Sequence, residues 1–191
     1  MTAARGRLVV ISGPSGAGKT SVCRALKEKS GIEFSVSATT RAIRAGEREG
    51  VDYRFLTRAQ FEADVARGEF LEWAAYHDHL YGTPRRPVET ALAGGRVFLL
   101  EIEVMGTRQL REQRIPGLYL FIAPPSLEEL RARLVRRGTD TAADIEARVR
   151  IAREEIAAAK VPHQGRALYD HMILNVDLAE TTRRVEELIR S

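Results

Sequence analysis

The hydrophobic positions of this chain come mostly in short unbroken runs rather than in alternation. Leu8-Val9-Val10-Ile11, Val97-Phe98-Leu99-Leu100, Leu118-Tyr119-Leu120-Phe121-Ile122 and Met172-Ile173-Leu174 are such runs, and helically spaced segments separate them. A strand that is apolar on both sides needs cover on both sides, as in a parallel sheet between helical layers. The pattern therefore predicts an α/β fold with an open parallel sheet flanked by helices, and ligands at the carboxyl ends of its strands. The first strand is expected over 7–12 and a helix over 19–29.

Two stretches break this rhythm. Residues 37–90 are polar, aromatic-bearing and rich in Gly and Arg, with only short strand signals, and read as an inserted subdomain. Residues 126–160 read as two helices in the position of a lid. Ser126-Leu127-Glu128-Glu129 predicts a capping box, and Leu127, Leu130 and Leu134 form one apolar stripe. Arg137-Gly138-Thr139-Asp140 breaks that helix, after which Ile145, Val149, Ala152 and Ile156 make the next stripe. The remaining core is expected over about 5–36, 95–125 and 165–191, all within a single domain.

Between the first strand and its helix stands Gly13-Pro14-Ser15-Gly16-Ala17-Gly18-Lys19-Thr20, a match to G-x-x-x-x-G-K-[ST] with both flanks correct. Glycines let the backbone wrap an anion so that several N–H groups converge, and the positive end of the following helix faces the same point. In such a P-loop Lys19 reaches the β- and γ-phosphates of a nucleoside triphosphate and the Thr20 hydroxyl ligates Mg²⁺. The motif alone leaves the reaction open, since GTPases, ATPases, transporters and kinases all carry one.

Composition narrows the setting. The chain has 191 residues, 44% of them hydrophobic, which is enough for a real core. No apolar run approaches the length of a transmembrane helix, and the start, Met1 to Arg5, does not read as a signal peptide. The single cysteine, Cys23, suits a reducing cytoplasm. Thirty basic and 26 acidic residues give a net charge of +4, with the two signs interleaved. No nucleic-acid-binding motif accompanies that balance, so neither nucleic acid nor membrane is an expected partner. His77 and His79 read as a polar loop rather than as metal ligands.

Further motifs select among the P-loop classes. Ser35 to Glu47, Gly50-Val51-Asp52-Tyr53-Arg54-Phe55, Phe70-Leu71-Glu72-Trp73-Ala74, Tyr81-Gly82-Thr83, Phe121 to Ser126 and Arg137-Gly138-Thr139 together resemble the guanylate kinase family, over about residues 7–178. The resemblance implies Mg-dependent transfer of the ATP γ-phosphoryl group to GMP, and to dGMP as a second acceptor, by a monomer or small homo-oligomer. It implies that Ser37, Arg41, Arg44, Tyr53 and Tyr81 hold the GMP phosphate, chemistry that suits guanidinium forks and phenolic hydroxyls. It also implies that Glu72 and Thr83, with Glu103, read the guanine. ATP would meet the P-loop residues 13–20, Arg133, Arg137, Arg148 and Asn175. Lys19, Arg41, Arg137 and Arg148 would act on the transferring group. One departure stands out: Glu101-Ile102-Glu103 replaces the family's Asp-Ile-Asp. Glu101 would serve the metal through a water. The alternatives are a catalytically silent guanylate-kinase-like interaction module and a relative that phosphorylates another acceptor. Intact Gly18-Lys19-Thr20 and the lid arginines argue against the first, and the guanine-reading set against the second.

Overall fold

A computed structural model describes residues 6–28, 31–76, 78–138 and 140–191. Thr139 of the expected helix break, His77, Lys29 at the end of the first expected helix and the five N-terminal residues lie outside them.

The main sheet holds β1 (Arg7–Ser12), β2 (Ile32–Phe34), β7 (Val97–Glu101), β8 (Leu118–Ala123) and β9 (His171–Leu174) in the order β2-β7-β1-β8-β9, all parallel. Along β1 the side chains alternate between two cores. Leu8 and Val10 join Phe98, Leu100, Tyr119 and Phe121 on one face, while Val9 and Ile11 join Leu99, Leu120 and Ile122 on the other. Both faces are buried, which is why the strand reads as an unbroken apolar run. Helices α1 (Lys19–Lys27) and α7 (Leu178–Arg190) cover the second face through Val22, Leu26, Val185 and Leu188. Helices α3 (Arg85–Ala93) and α4 (Val104–Glu112) cover the first through Val88, Ala91, Val104 and Leu110.

The edges of this sheet differ from the expected pattern. β2 is a three-residue strand of half-buried side chains, too short and too little apolar to show in the sequence. β9 is covered far less than its apolar run implies: Met172 and Leu174 are 42% and 61% exposed. An edge strand has a neighbour on one side only, so its apolarity does not guarantee cover.

A second sheet, ordered β4-β3-β6-β5, is built from β3 (Ala38–Thr39), β4 (Arg54–Phe55), β5 (Phe70–Tyr76) and β6 (His79–Pro84). It packs with α2 (Arg58–Ala66) around its own small core of Ala38, Phe61, Phe70 and Leu80. Helices α5 (Leu127–Arg137) and α6 (Ala142–Lys160) pair around Leu130, Leu134, Ile145 and Ala152. Ile156, which the sequence assigned to the same stripe, packs instead against the main core with Ala158 and Ala159. The seam between helical hairpin and core thus runs through the middle of α6. The expected capping box of α5 is half formed. Ser126 accepts from the Glu129 N–H at 3.1 Å, but the Glu129 carboxylate turns to Arg133 (2.9 Å) and Arg136 (3.1 Å). Charge-assisted bonds to two guanidiniums are stronger than one return bond to a backbone amide.

Candidate active site

The P-loop joins β1 to α1, where the sequence placed it. Gly18 sits at φ 96° directly before α1, and a β-carbon there would lie 2.2 Å from Asn175 Nδ2. Glycine is required for both the backbone conformation and the close approach. Asn175 is itself buried and fully engaged: Nδ2 donates to the Ala17 carbonyl (2.7 Å), Oδ1 accepts from Thr181 (3.1 Å), and its carbonyl accepts from Arg133 (2.8 Å). Its side chain braces the loop from behind.

Lys19 is buried and donates to the Gly13 carbonyl, with Glu103 Oε1 3.5 Å away. Burial, the largest influence, pulls its pKa down. The carboxylates of Glu103, Glu101 and Glu155 together outweigh burial and hold it above the ordinary value, so the ammonium stays charged. Thr20 Oγ1 donates to Glu101 Oε1 at 2.6 Å. The two glutamates at the end of β7 thus reach across to the phosphate loop. Among the described residues no group of three or more His, Cys, Asp or Glu is placed to hold a metal by itself. Cys23 is buried, and its thiol pKa is pushed well up by burial first and by Glu101 second, which leaves it unreactive.

Glu101 and Glu103 also line a cleft of about 390 Å³ whose other walls include Ser37, Tyr53, Glu72, Tyr81 and Gly106. The phosphate loop and this cleft therefore meet at one pair of carboxylates. Glu72 and Thr83 are cross-strand neighbours on β5 and β6, and the Thr83 hydroxyl donates to Glu72 Oε1 at 2.6 Å. Gly106 of α4 lies against the other oxygen, so closely that a β-carbon there would be 2.3 Å from Oε2. Glu72 is 6% exposed, and burial lifts its pKa to about 7 against the opposing pull of Thr83. A buried carboxylate lining an open cleft is placed to accept hydrogen bonds from a ligand.

The tyrosines form the far wall. Tyr53 and Tyr81 meet edge to face at 6.0 Å between ring centres, and the Arg41 guanidinium lies 5.5 Å from the Tyr53 ring. Arg41 is held by Glu47 through both nitrogens of its fork (3.0 and 2.7 Å) and by the Ala42 carbonyl (2.6 Å). The Glu47 carboxyl sits below its usual pKa, mainly through that Arg41 bond. Glu47 also accepts from the Arg44 backbone N–H (2.8 Å), whereas the Arg44 side chain is exposed. On the helical hairpin, Arg148 donates to Ser15 Oγ of the phosphate loop (2.7 Å) and pairs with Asp140 (3.3 Å). Arg133 pairs with Glu129, and Arg137 is exposed at the end of α5.

Sequence reasoning missed three participants. Glu155 and Glu154 on α6 line the cleft, as does Arg108 on α4. The pKa of Glu155 is raised to about 7 by burial first, then by Glu103, which lies within hydrogen-bonding reach. Ile151, Glu155 and Ala158 share a helical face at i, i+4 and i+7, a periodicity that could have marked the acid. Glu47 stood in the acceptor signature without a role, and its spacing six residues after Arg41 gives no local clue to the pair.

The fold, with phosphate loop and cleft meeting at Glu101 and Glu103, has close relatives. The family model described as guanylate kinase matches residues 5–191. A guanylate kinase of Clostridioides difficile is 45% identical over 188 residues, covering 98% of this chain and 88% of that protein. One from Gloeobacter violaceus is 46% identical over 184 residues, covering 96% and 86%. The crystal structure of guanylate kinase from Anaplasma phagocytophilum superposes with a TM-score of 0.78 at 34% identity, covering 98% of this chain and 86% of that one. The chain belongs to the guanylate kinase family, nucleoside monophosphate kinases that act as ATP:GMP phosphotransferases.

Proposed function

We propose that the cleft binds GMP, with dGMP as a second acceptor, and that the γ-phosphoryl group of ATP passes to it directly and in line. The observation that carries this reading is the buried Glu72–Thr83 pair at a cleft whose wall residue Glu103 lies 3.5 Å from Lys19 of the phosphate loop. Guanine offers N1–H and a 2-amino group side by side, which a carboxylate accepts together; adenine offers neither in that place. Ser37, Tyr53, Tyr81, Arg41 and Arg44 take the acceptor phosphate, with Glu47 aiming the Arg41 fork. Lys19 and the backbone of residues 13–20 take the donor phosphates.

The hydroxyl of Thr20 and, through water, Glu101 suit magnesium, which prefers hard oxygen donors and keeps several waters. Bound with the nucleotide, that ion neutralises charge on the transferring group. Arg148 already touches Ser15. Inward movement of α5 and α6 brings Arg133 and Arg137 over the same phosphates. Asn175 acts from behind, by fixing the Ala17 carbonyl. The attacking atom is a phosphate oxygen ionised at neutral pH, so no general base is needed. Among the described residues no helix is long and apolar enough to cross a membrane, and the buried free thiol of Cys23 suits a cytoplasmic site of action.

The test is a coupled assay with ATP and, separately, GMP, dGMP, AMP, CMP and UMP. Turnover with the guanine nucleotides, and a KM for GMP raised about a hundredfold by Glu72→Ala with the KM for ATP unchanged, is the expected result. AMP turned over as fast as GMP would overturn it.

A further inference from the structure

Helix α4 forms one wall of the cleft through Val104, Met105, Gly106 and Arg108. Its polar side chains nearly all have partners. Gln109 holds the Trp73 backbone on both sides, Gln113 just past its end donates to the Leu71 carbonyl, and Arg111 stacks on Tyr119 while pairing with Asp170. Arg108 is the exception. Its Nε is buried without any hydrogen-bond partner, and among the described residues its guanidinium forms no ion pair. Glu72, Glu101, Glu103, Glu154 and Glu155 all line the same cleft, yet none is paired with it. A buried donor left unmade at the edge of a binding cleft marks the place of a ligand acceptor.

The cleft fixes which acceptor that is. Glu72 Oε1 faces Thr83 and Oε2 faces α4. Glu103, at the start of α4, is a carboxylate that attracts the 2-amino group of guanine and repels O6. The base therefore lies with O6 towards Thr83 and with its 2-amino group, N3 and ribose towards α4. We propose that Arg108 binds the acceptor nucleoside along its sugar edge, donating from its guanidinium to guanine N3 and the ribose 2′-hydroxyl. This assignment rests on the reading of the cleft as the GMP site. It makes Arg108 a specificity residue, one that favours ribonucleotide over deoxyribonucleotide. A guanidinium suits the task because its donors are fixed in a plane and span two adjacent acceptors.

Steady-state kinetics of Arg108→Met, which keeps the apolar bulk and removes the donors, tests it. The KM for GMP should rise about tenfold, with the KM for ATP and the melting temperature unchanged. The wild-type preference for GMP over dGMP in kcat/KM should vanish in the variant, while Arg108→Lys retains part of it. Equal losses for GMP and dGMP, a wild type without preference between them, or a KM for GMP within twofold of wild type would each overturn the assignment. So would a loss confined to kcat and reproduced by Glu154→Gln, which would make Arg108 a partner of α6. Failure of the wild type itself to phosphorylate GMP would sink the reading of the cleft, a result visible before any variant is made.

Discussion

At the scale of single residues the cleft is organised around carboxylates held against their own preference. Glu72 has a pKa of about 7 because burial removes more hydration from its carboxylate than the hydrogen bonds of Thr83 replace. The folded protein therefore holds a proton on Glu72 that the unfolded chain releases at its ordinary value of 4.5. Below 4.5 the group costs nothing. As pH rises from there through 7 the folded state loses stability, by about 3 kcal/mol for a shift of this size. Glu72→Gln keeps an acceptor for the Thr83 hydroxyl and removes the charge. The variant should melt on the order of 10 °C above wild type at pH 8.5 and level with it at pH 4.5. Thermal melts of nucleotide-free protein across that range measure this, and a pH-independent gap would show that Glu72 does not titrate in the fold. On the proposed reading of the cleft, two guanine N–H groups would satisfy the ionised carboxylate, which the Thr83 hydroxyl alone does not.

At the scale of elements, the geometry depends on close contacts that no local pattern announces. α4 runs against β5, and only the missing side chain of Gly106 leaves room for Glu72. Alanine is the better helix former by about 1 kcal/mol. In Gly106→Ala that gain offsets only part of the overpacking cost, about 1–3 kcal/mol, so the variant should stay folded with a modestly lower melting temperature while the KM for GMP rises at least about tenfold, since the new methyl displaces the Glu72 carboxylate. An unchanged KM would mean that the carboxylate tolerates the shift. The P-loop was legible from sequence because its chemistry is contained in eight consecutive residues with a strand before and a helix after. The centre of the parallel core was legible for a similar reason, strands β1, β7 and β8 each carrying its own two-faced burial. Other features were hidden. Glu155 meets Glu103 from a helix some fifty residues further on, Asn175 spends its side chain on a carbonyl of the phosphate loop, and β9 is apolar without being covered. Each depends on which elements become neighbours, and that is a property of the topology rather than of the segment.

At the scale of the whole molecule, three separately packed units surround the two half-sites. The central strand β8 and all of β1 but Arg7 are buried between two large cores. Among the described residues, the second sheet and the α5–α6 hairpin each rest on a cluster of four buried residues, so they open at lower free energy than the sheet between them. The second sheet is joined to the core where β5 packs on α4, through Gln109 on the Trp73 backbone and Gln113 on the Leu71 carbonyl, and the hairpin is joined through Arg148 on Ser15. On the proposed reading, filling both half-sites would add contacts across those joints and none inside the central sheet. Hydrogen–deuterium exchange in the first minute of labelling, before the central strands exchange at all, should show this. GMP alone should slow uptake in β3 to β6, and GMP with a non-hydrolysable ATP analogue and magnesium should also slow α5 and the first half of α6, by about tenfold. The second half of α6, which carries Ile156 and Ala159 into the main core, should change little. That split within one helix separates movement of the hairpin about the seam from a general tightening, since tightening would slow α6 along its whole length.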